Sequence, residues 1–370
     1  MRDIVISGVG LVTAFGHGTA AFGRGLLERR CALDRARRFN AAAYRGHAVG
    51  EVSGETPATG PRRQAYMLTA VDEALEAARL TGLPEGGQVI LVGQSPLPDD
   101  PDGVDADQRE FMGPTRSGAL GAGPALYITQ ACASTLFAVS LAREIIRAGT
   151  APAVVVAGGT ALNPYEYASL DVVRALSIEP ARPFDMDRQG ISLGEGGGAL
   201  VLEDADRARR RGARTDLVVA GLACRLTGAK AVASDTDVVG ACMRAAMEDA
   251  GVGGIDYLHA HATGTQQGDT SELHAVEKIC AENGLTGLPM SSHKGAIGHL
   301  LHISGVAAIA ATALALRTGT VPPTAGLSAP EATSRVALPT EAQPGHRLSH
   351  AAVNSFGFGG NNACLILRRA

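Results

Sequence analysis

The chain has 370 residues, 45% hydrophobic and 4% aromatic, with no Trp, 47 glycines and a formal net charge of -4. That length exceeds the roughly 250 to 300 residues one core supports, so two joined cores or a duplicated α/β unit are expected. The charge balance and a pI of 6.2 give no sign of a nucleic-acid binder, and six cysteines without a CxxC pair suggest neither a zinc ribbon nor a disulfide framework.

At the N-terminus, MRDIVISGVG reads as a strand and lacks the basic n-region and longer apolar core of a signal peptide. No stretch reaches the roughly 20 apolar residues of a membrane span, the nearest being Gly305–Leu316. A reducing cytoplasm is therefore the expected compartment, with no membrane partner. Short aliphatic or β-branched runs bounded by Gly or Pro predict buried strands at Ile4–Val9, Val89–Val92, Ala153–Ala157 and Ala199–Leu202. Between them, apolar residues at Met67, Leu68, Val71, Ala74, Leu75 and Ala78 predict an amphipathic helix ending at Gly82. After a hairpin-like RARRRGAR (207–214), the alternation resumes. Strands are predicted at Leu217–Ala220, Tyr257–Ala260, Ala351–Asn354 and Cys364–Leu367, and helices at Val238–Ala250, Ser271–Asn283 and Gly305–Arg317. The break near 212–216 divides the chain into halves of similar element content, 1–215 and 216–370. Two segments, Pro96–Gly123 and Ala325–His346, read as loops of doubtful order.

Cys132, in ITQACASTLFAV, falls where a strand turns into an apolar helix. It is either an inert buried thiol or a nucleophile whose pKa is lowered by unpaired helix N–H groups and the helix dipole. In HAHATGTQQGDTSE, His259 and His261 are two residues apart on one face of a strand, with a helix expected to begin near Asp269 or Thr270. Asp269 and Glu272 there fit an N-cap and its capping-box partner. In SSHKGAIGHLLHISG, Lys294 and His299 flank a glycine-containing loop. The histidines lack the short-range ligand pairs usual for zinc, and neither Gly-rich stretch, 181–203 or 354–367, is a GxGxxG opening a helix after a strand. No metal and no cofactor is expected.

Five stretches in order, TQACAS, RPFDMDRQGISLGEGGGALVLE, HATGTQQGDTSE, KGAIGH and NSFGFGGNNA, resemble the β-ketoacyl-acyl carrier protein synthases of the thiolase superfamily. The resemblance implies a five-layered αβαβα fold of two similar halves. It implies a dimer, either of identical chains or with a ketosynthase-like partner, acting in fatty-acid or type II polyketide synthesis. By the same resemblance Cys132 is the acyl-accepting nucleophile, with His261 and His299 as the paired histidines and Lys294 five residues before the second. Asp269 and Glu272 support Lys294 and its loop, and Glu195 has a structural role. Phe358 is the gate, and its backbone N–H forms the oxyanion hole with that of Cys132. The implied reaction is decarboxylative condensation of a Cys-bound acyl chain with a malonyl thioester, both delivered by an acyl carrier protein that would dock near Arg62 and Arg63. An alternative is a ketosynthase-like acyltransferase that passes the acyl group to a non-malonyl acceptor. The chain departs from the family at Ala262 and at GHLLHISG, where Leu300, Leu301 and His302 replace a small, glycine-rich turn.

Overall fold

A computed structural model describes residues 2–53, 62–93, 125–227 and 235–370. The predicted loop Pro96–Gly123 lies outside them. Five strands of the first half, Ile4–Thr13, Gln88–Val92, Leu126–Ile128, Ala153–Thr160 and Gly196–Asp204, lie side by side in the order third, second, fourth, fifth, first. Five of the second half, Leu217–Leu226, Tyr257–His259, Leu288–Ser291, His350–Gly357 and Asn361–Arg369, repeat that order. The directions repeat as well. In both runs the third, second and fourth strands are mutually parallel, and the fifth is antiparallel to the fourth and the first. Parallel neighbours need crossover helices on the sheet faces, which explains the aliphatic runs of Gln88–Val92 and Ala153–Thr160.

The runs join at one pairing, Val5 with Val218, and fold back over two shared helices. Ser134–Arg147 and Ser304–Thr318 each touch strands of both runs. The second is buried almost all round, Leu301–Thr318 being 78% inside the molecule, so its uniform hydrophobicity is that of a core helix. Outside, Arg62–Ala77 covers the first run through Met67, Ala70, Val71 and Ala74. Thr236–Ala250 covers the second run and packs on Gln266–Glu282. The layers are therefore helix, sheet, helix, sheet, helix, a thiolase-like αβαβα arrangement. Glycine makes the tight layering possible: a Cβ on Gly8 or Gly10 would come 1.9 Å or 1.8 Å from the carbonyl oxygens of Ala74 and Ala70.

Several local expectations change. The outer helix stops at Ala77, and Arg79 rather than Gly82 takes the left-handed conformation, at φ 54. RARRRGAR is not a hairpin: Ala205–Arg210 is a short helix capped by Asp204, and Arg211 pairs with buried Glu203 at 2.5 Å. The segment Ala325–His346 is built into the fold: Asp185 accepts the N–H groups of Ser328 and Ala329, and Val336 pairs with Leu288.

Candidate active site

The strand Leu126–Ile128 ends three residues before an elbow at Ala131, whose φ of 48 turns the chain into the helix Ser134–Arg147. Ser134 pins that elbow by accepting from Gln130 N–H (2.8 Å) and donating to the Ala131 carbonyl (2.6 Å). Cys132 is thereby turned into a cavity of about 740 Å³, also lined by His261, His299, Phe356 and Phe358. Its Sγ lies 3.0 Å from His299 Nε2, and the His261 ring stands edge-on to that of His299 at 5.5 Å.

Each histidine is held by its backbone. His299 donates its N–H to the Ser192 carbonyl (2.7 Å) and accepts from Gly194 N–H (3.0 Å), so the Gly-rich stretch before Gly196–Asp204 fixes its height. His261 is clamped from both sides. Glu272 accepts the N–H groups of His261 (2.9 Å) and Ala262 (2.8 Å), and Lys294 Nζ donates to the His261 carbonyl. Asn354 Nδ2 adds a third donor to Glu272 at 3.0 Å. Asp269 accepts from Thr263 N–H (2.9 Å), Gly264 N–H and Phe184 N–H (3.0 Å). The helix begins at Gln266, so Asp269 does not cap it, and the capping-box expectation gives way to two carboxylates that tie down the preceding loop. His259 does not share a face with His261. The strand ends at His259, whose ring is buried in a relay with Tyr257 (2.8 Å) and His293 (2.9 Å).

Burial dominates the electrostatics. It pushes the Cys132 thiol up to about 11 against the opposing charge of Lys294, so of the two readings of the sulfur the lowered pKa at the helix terminus is the one this environment opposes. It holds His261 and His299 well below their ordinary range, helped by Lys294, so both rings are neutral near pH 7. It also pulls Lys294 down, with Glu272 opposing, and lifts Glu272, with Asn354 and the backbone N–H groups opposing. A neutral His299 at 3.0 Å can accept the thiol proton during attack, which is the arrangement a buried cysteine nucleophile needs. Among the described residues no group of three or more His, Cys, Asp and Glu is placed to hold a metal ion.

Glu195 is fully buried and ties segments together: it accepts from Val52 N–H (3.1 Å), Leu162 N–H (3.2 Å) and Tyr66 OH (3.2 Å), and pairs with Arg38 at 3.3 Å. The strand His350–Gly357 runs beside Cys132, where Ser355 Oγ donates to the Cys132 carbonyl at 2.8 Å. A Cβ on Gly357 would lie 3.1 Å from Cys132 N. Phe358, next in the chain, is 41% exposed at the cavity mouth. The docking expectation for Arg63 fails. It is 3% exposed and pairs with buried Glu166 at 3.2 Å, while Arg62 donates to the Leu162 carbonyl (3.0 Å). Sequence reasoning passed over Asn354 and Glu166. Asn354 was detectable as a polar residue inside a buried aliphatic strand, but Glu166 carried no signal.

A five-layered fold with a cysteine at a strand-to-helix elbow and two neutral histidines facing it is a thiolase-like arrangement. The chain belongs to the β-ketoacyl synthase family: "Beta-ketoacyl synthase, N-terminal domain" matches residues 119–208 and "Beta-ketoacyl synthase, C-terminal domain" matches residues 217–328. It is 38% identical over 260 residues to the 3-oxoacyl-(acyl-carrier-protein) synthase 2 of Rhizobium meliloti, covering 67% of this chain but 61% of that enzyme. The alignment thus spans under two thirds of that relative's length. Against the actinorhodin polyketide putative beta-ketoacyl synthase 1 of Streptomyces coelicolor it is 32% identical, over 100% of this chain and 89% of the relative. Among solved structures, the ishigamide ketosynthase/chain length factor superposes with a TM-score of 0.88 at 27% identity, covering 100% of this chain and 99% of that one.

Proposed function

We propose that this protein is a 3-oxoacyl-acyl carrier protein synthase, an acyltransferase that joins a Cys132-bound acyl chain to a malonyl unit by decarboxylative Claisen condensation. The observation that carries it is the 3.0 Å contact between Cys132 Sγ and His299 Nε2, with His261 across the same cavity. In the first half-reaction the Cys132 sulfur attacks the thioester carbonyl of an acyl carrier protein as its proton passes to His299 Nε2. The tetrahedral oxyanion is held by the backbone N–H groups of Cys132 and Phe358. The C–S bond to the carrier breaks, and the imidazolium returns one proton to the departing sulfur. In the second, malonyl thioester loses CO2, and neutral N–H donors on His261 and His299 stabilise the enolate oxygen. The enolate carbon attacks the acyl-enzyme, a C–C bond forms, the C–S bond breaks, and the Cys132 thiolate that leaves takes up one proton from solvent, which balances the loss of the malonyl carboxylate as CO2. Lys294, Glu272 and Asp269 act through His261 and its loop and are positioning residues.

The two strand runs support a division into halves at 215/216, the first carrying the nucleophile and the second both histidines. A dimer, of identical chains or with a ketosynthase-like partner, belongs to this reading through the likeness to the ketosynthase/chain length factor structure. So does a cytoplasmic site in fatty-acid or type II polyketide synthesis. The test is intact-mass analysis of purified protein with acyl-carrier and malonyl-carrier, alone and with a candidate partner subunit. Acyl addition that vanishes in Cys132→Ala, followed by a β-ketoacyl product, is the expected result. Acylation that persists in Cys132→Ala refutes the nucleophile, and acylation without any condensation product favours the acyltransferase alternative.

A further inference from the structure

Outside the reacting pair, two further histidines take no part in the condensation chemistry above. Tyr257, His259, Ser291, His293 and Ser304 are each at most 2% exposed and form one continuous run of hydrogen bonds. Ser291 Oγ meets Tyr257 Oη at 2.8 Å, and Tyr257 Oη meets His259 Nδ1 at 2.8 Å. His259 Nε2 then meets His293 Nδ1 at 2.9 Å, and His293 Nε2 meets Ser304 Oγ at 3.1 Å. Burial, with the charge of Lys294 adding to it, pulls His259 down to about 3 and His293 well below its ordinary range, so each ring is neutral, with one N–H and one bare nitrogen. All four ring nitrogens are bonded, so neither ring can shift without leaving a buried polar atom unpaired.

The run is fixed to the chain at the points from which the reacting groups hang. His259 ends its strand just before the segment that carries His261. His293 stands immediately before Lys294, and its carbonyl accepts from Ala296 N–H (2.9 Å) and Ile297 N–H (3.3 Å), so it heads the turn Lys294–Ile297 that leads to His299. Ser304 opens the core helix shortly after His299. Other bonds join the first two segments, Ala260 N–H to the Ser291 carbonyl (2.9 Å) and Ser292 Oγ to the Ala262 carbonyl (2.8 Å), but the imidazole run carries on to Ser304 and so brackets His299 from both sides in the chain. His299 Nδ1 has no hydrogen-bond partner among the described residues, so the aim of that ring follows from where its backbone is put.

We propose that His259 and His293 are positioning residues for malonyl decarboxylation: their shared hydrogen bond sets the separation of the His261 and His299 rings, which must converge on one enolate oxygen. The proposal rests on the ketosynthase reading and adds two residues to it. Acylation uses one of those rings and tolerates a change in their spacing, whereas decarboxylation uses both.

The experiment uses the full-length protein. Release of CO2 from a malonyl pantetheine thioester gives kcat and KM for decarboxylation, and intact mass gives the single-turnover rate of Cys132 acylation by an alkanoyl pantetheine thioester. His293→Asn places an amide near the Nδ1 position and keeps a partner for His259, whereas His293→Gln places one near the Nε2 position, keeps Ser304 and loses His259. Both bury one amide at the same point, so a general loss of packing affects them alike. In His293→Gln the kcat of decarboxylation should fall about tenfold to a hundredfold while KM and the acylation rate stay within about threefold, and His293→Asn should recover most of the loss. His259→Leu cuts the same bond from the other side and should reproduce His293→Gln, with the double variant little worse than either alone. Unchanged decarboxylation in His293→Gln, equal loss of decarboxylation and acylation, no recovery in His293→Asn, or losses that add in the double variant overturns the proposal. Should His293→Gln not fold, His259→Leu carries the same comparison against His259→Gln, which keeps an amide facing His293. A wild type that neither decarboxylates nor acylates removes the ketosynthase reading, whereas a competent wild type with indifferent variants removes the positioning role alone.

Discussion

Glu272→Gln isolates what the clamp on His261 does. The carboxylate meets three donors, His261 N–H at 2.9 Å and Asn354 Nδ2 at 3.0 Å on one oxygen, and Ala262 N–H at 2.8 Å on the other. Glutamine keeps the shape but has one acceptor. With its oxygen toward His261 and Asn354, its NH2 faces the Ala262 N–H, leaving a buried donor against a donor. One unsatisfied buried group costs about 1 to 3 kcal/mol, and the two surviving bonds lose their charge assistance, so roughly 2 kcal/mol or more of stability should go. Urea denaturation of wild type and variant reads that loss. The functional signature is a split. Glu272 holds the backbone of His261, whereas His299 is held by Ser192 and Gly194. In the proposed mechanism acylation of Cys132 uses His299 alone and malonyl decarboxylation and condensation use both rings, so acylation should fall less than the later steps. Equal loss in acylation and condensation would refute the assignment of Glu272 as a positioning residue for His261. Unchanged stability would refute the hydrogen-bond count.

Other outcomes follow from the same geometry. Gly357→Ala puts a Cβ 2.8 Å from the Gln130 carbonyl oxygen and 3.1 Å from Cys132 N. Overpacking of this kind costs about 1 to 3 kcal/mol, and the strain falls on the nucleophile's own backbone, so single-turnover acylation should drop at least about tenfold. Arg63→Met strands the buried carboxylate of Glu166 and should destabilise by about 3 to 5 kcal/mol, whereas Arg63→Met with Glu166→Met should recover much of that in the same urea assay. Acid should unfold the protein through its histidines. His259 and His302 are held down to about 3 by burial, so the unfolded chain binds their protons first. Their contribution to stability is present above pH 6.5 and is lost as pH falls from there toward 3, at up to about 1.4 kcal/mol per pH unit for each ring. His302→Leu should flatten the low-pH limb of the stability profile by about one ring's share.

What the sequence made legible divides along one physical line. Strand cores declared themselves as aliphatic runs, but two of the ends at the site did not, because Gly158–Thr160 and Gly196–Gly198 are small residues with no hydrophobic signature. The outer helix ended early because Arg79 adopted a conformation usually left to glycine. Cys132, His261, Lys294 and His299 were recognisable from short motifs, since an elbow, a strand end and a Gly-bounded loop are local events. The roles of Arg63, Glu166, Asn354 and His302 were not, since each is decided by which other element covers it. Arg63 heads a helix and reads as solvated, yet the fourth strand and the helix Pro164–Val172 close over it.

The same distinction governs Cys132. Read locally, Cys132 sits at a helix N-terminus and should be acidic; enclosed by the whole fold, its thiol is raised to about 11. Desolvation of a full charge exceeds what one helix terminus returns, which is worth about 0.3 to 1 kcal/mol when exposed and up to about 2 when partly buried. The resting site therefore holds a thiol and two neutral imidazoles, with charge created only as the reaction proceeds. A site of that kind gains most from donors fixed before the charge arrives. That requirement is met by pinned backbones: Ser192 and Gly194 on His299, Glu272 and Lys294 on His261, and Ser355 on Cys132. Three segments far apart in the chain must each be immobilised for one sulfur to work, so the protein's polar burial concentrates behind the reacting groups.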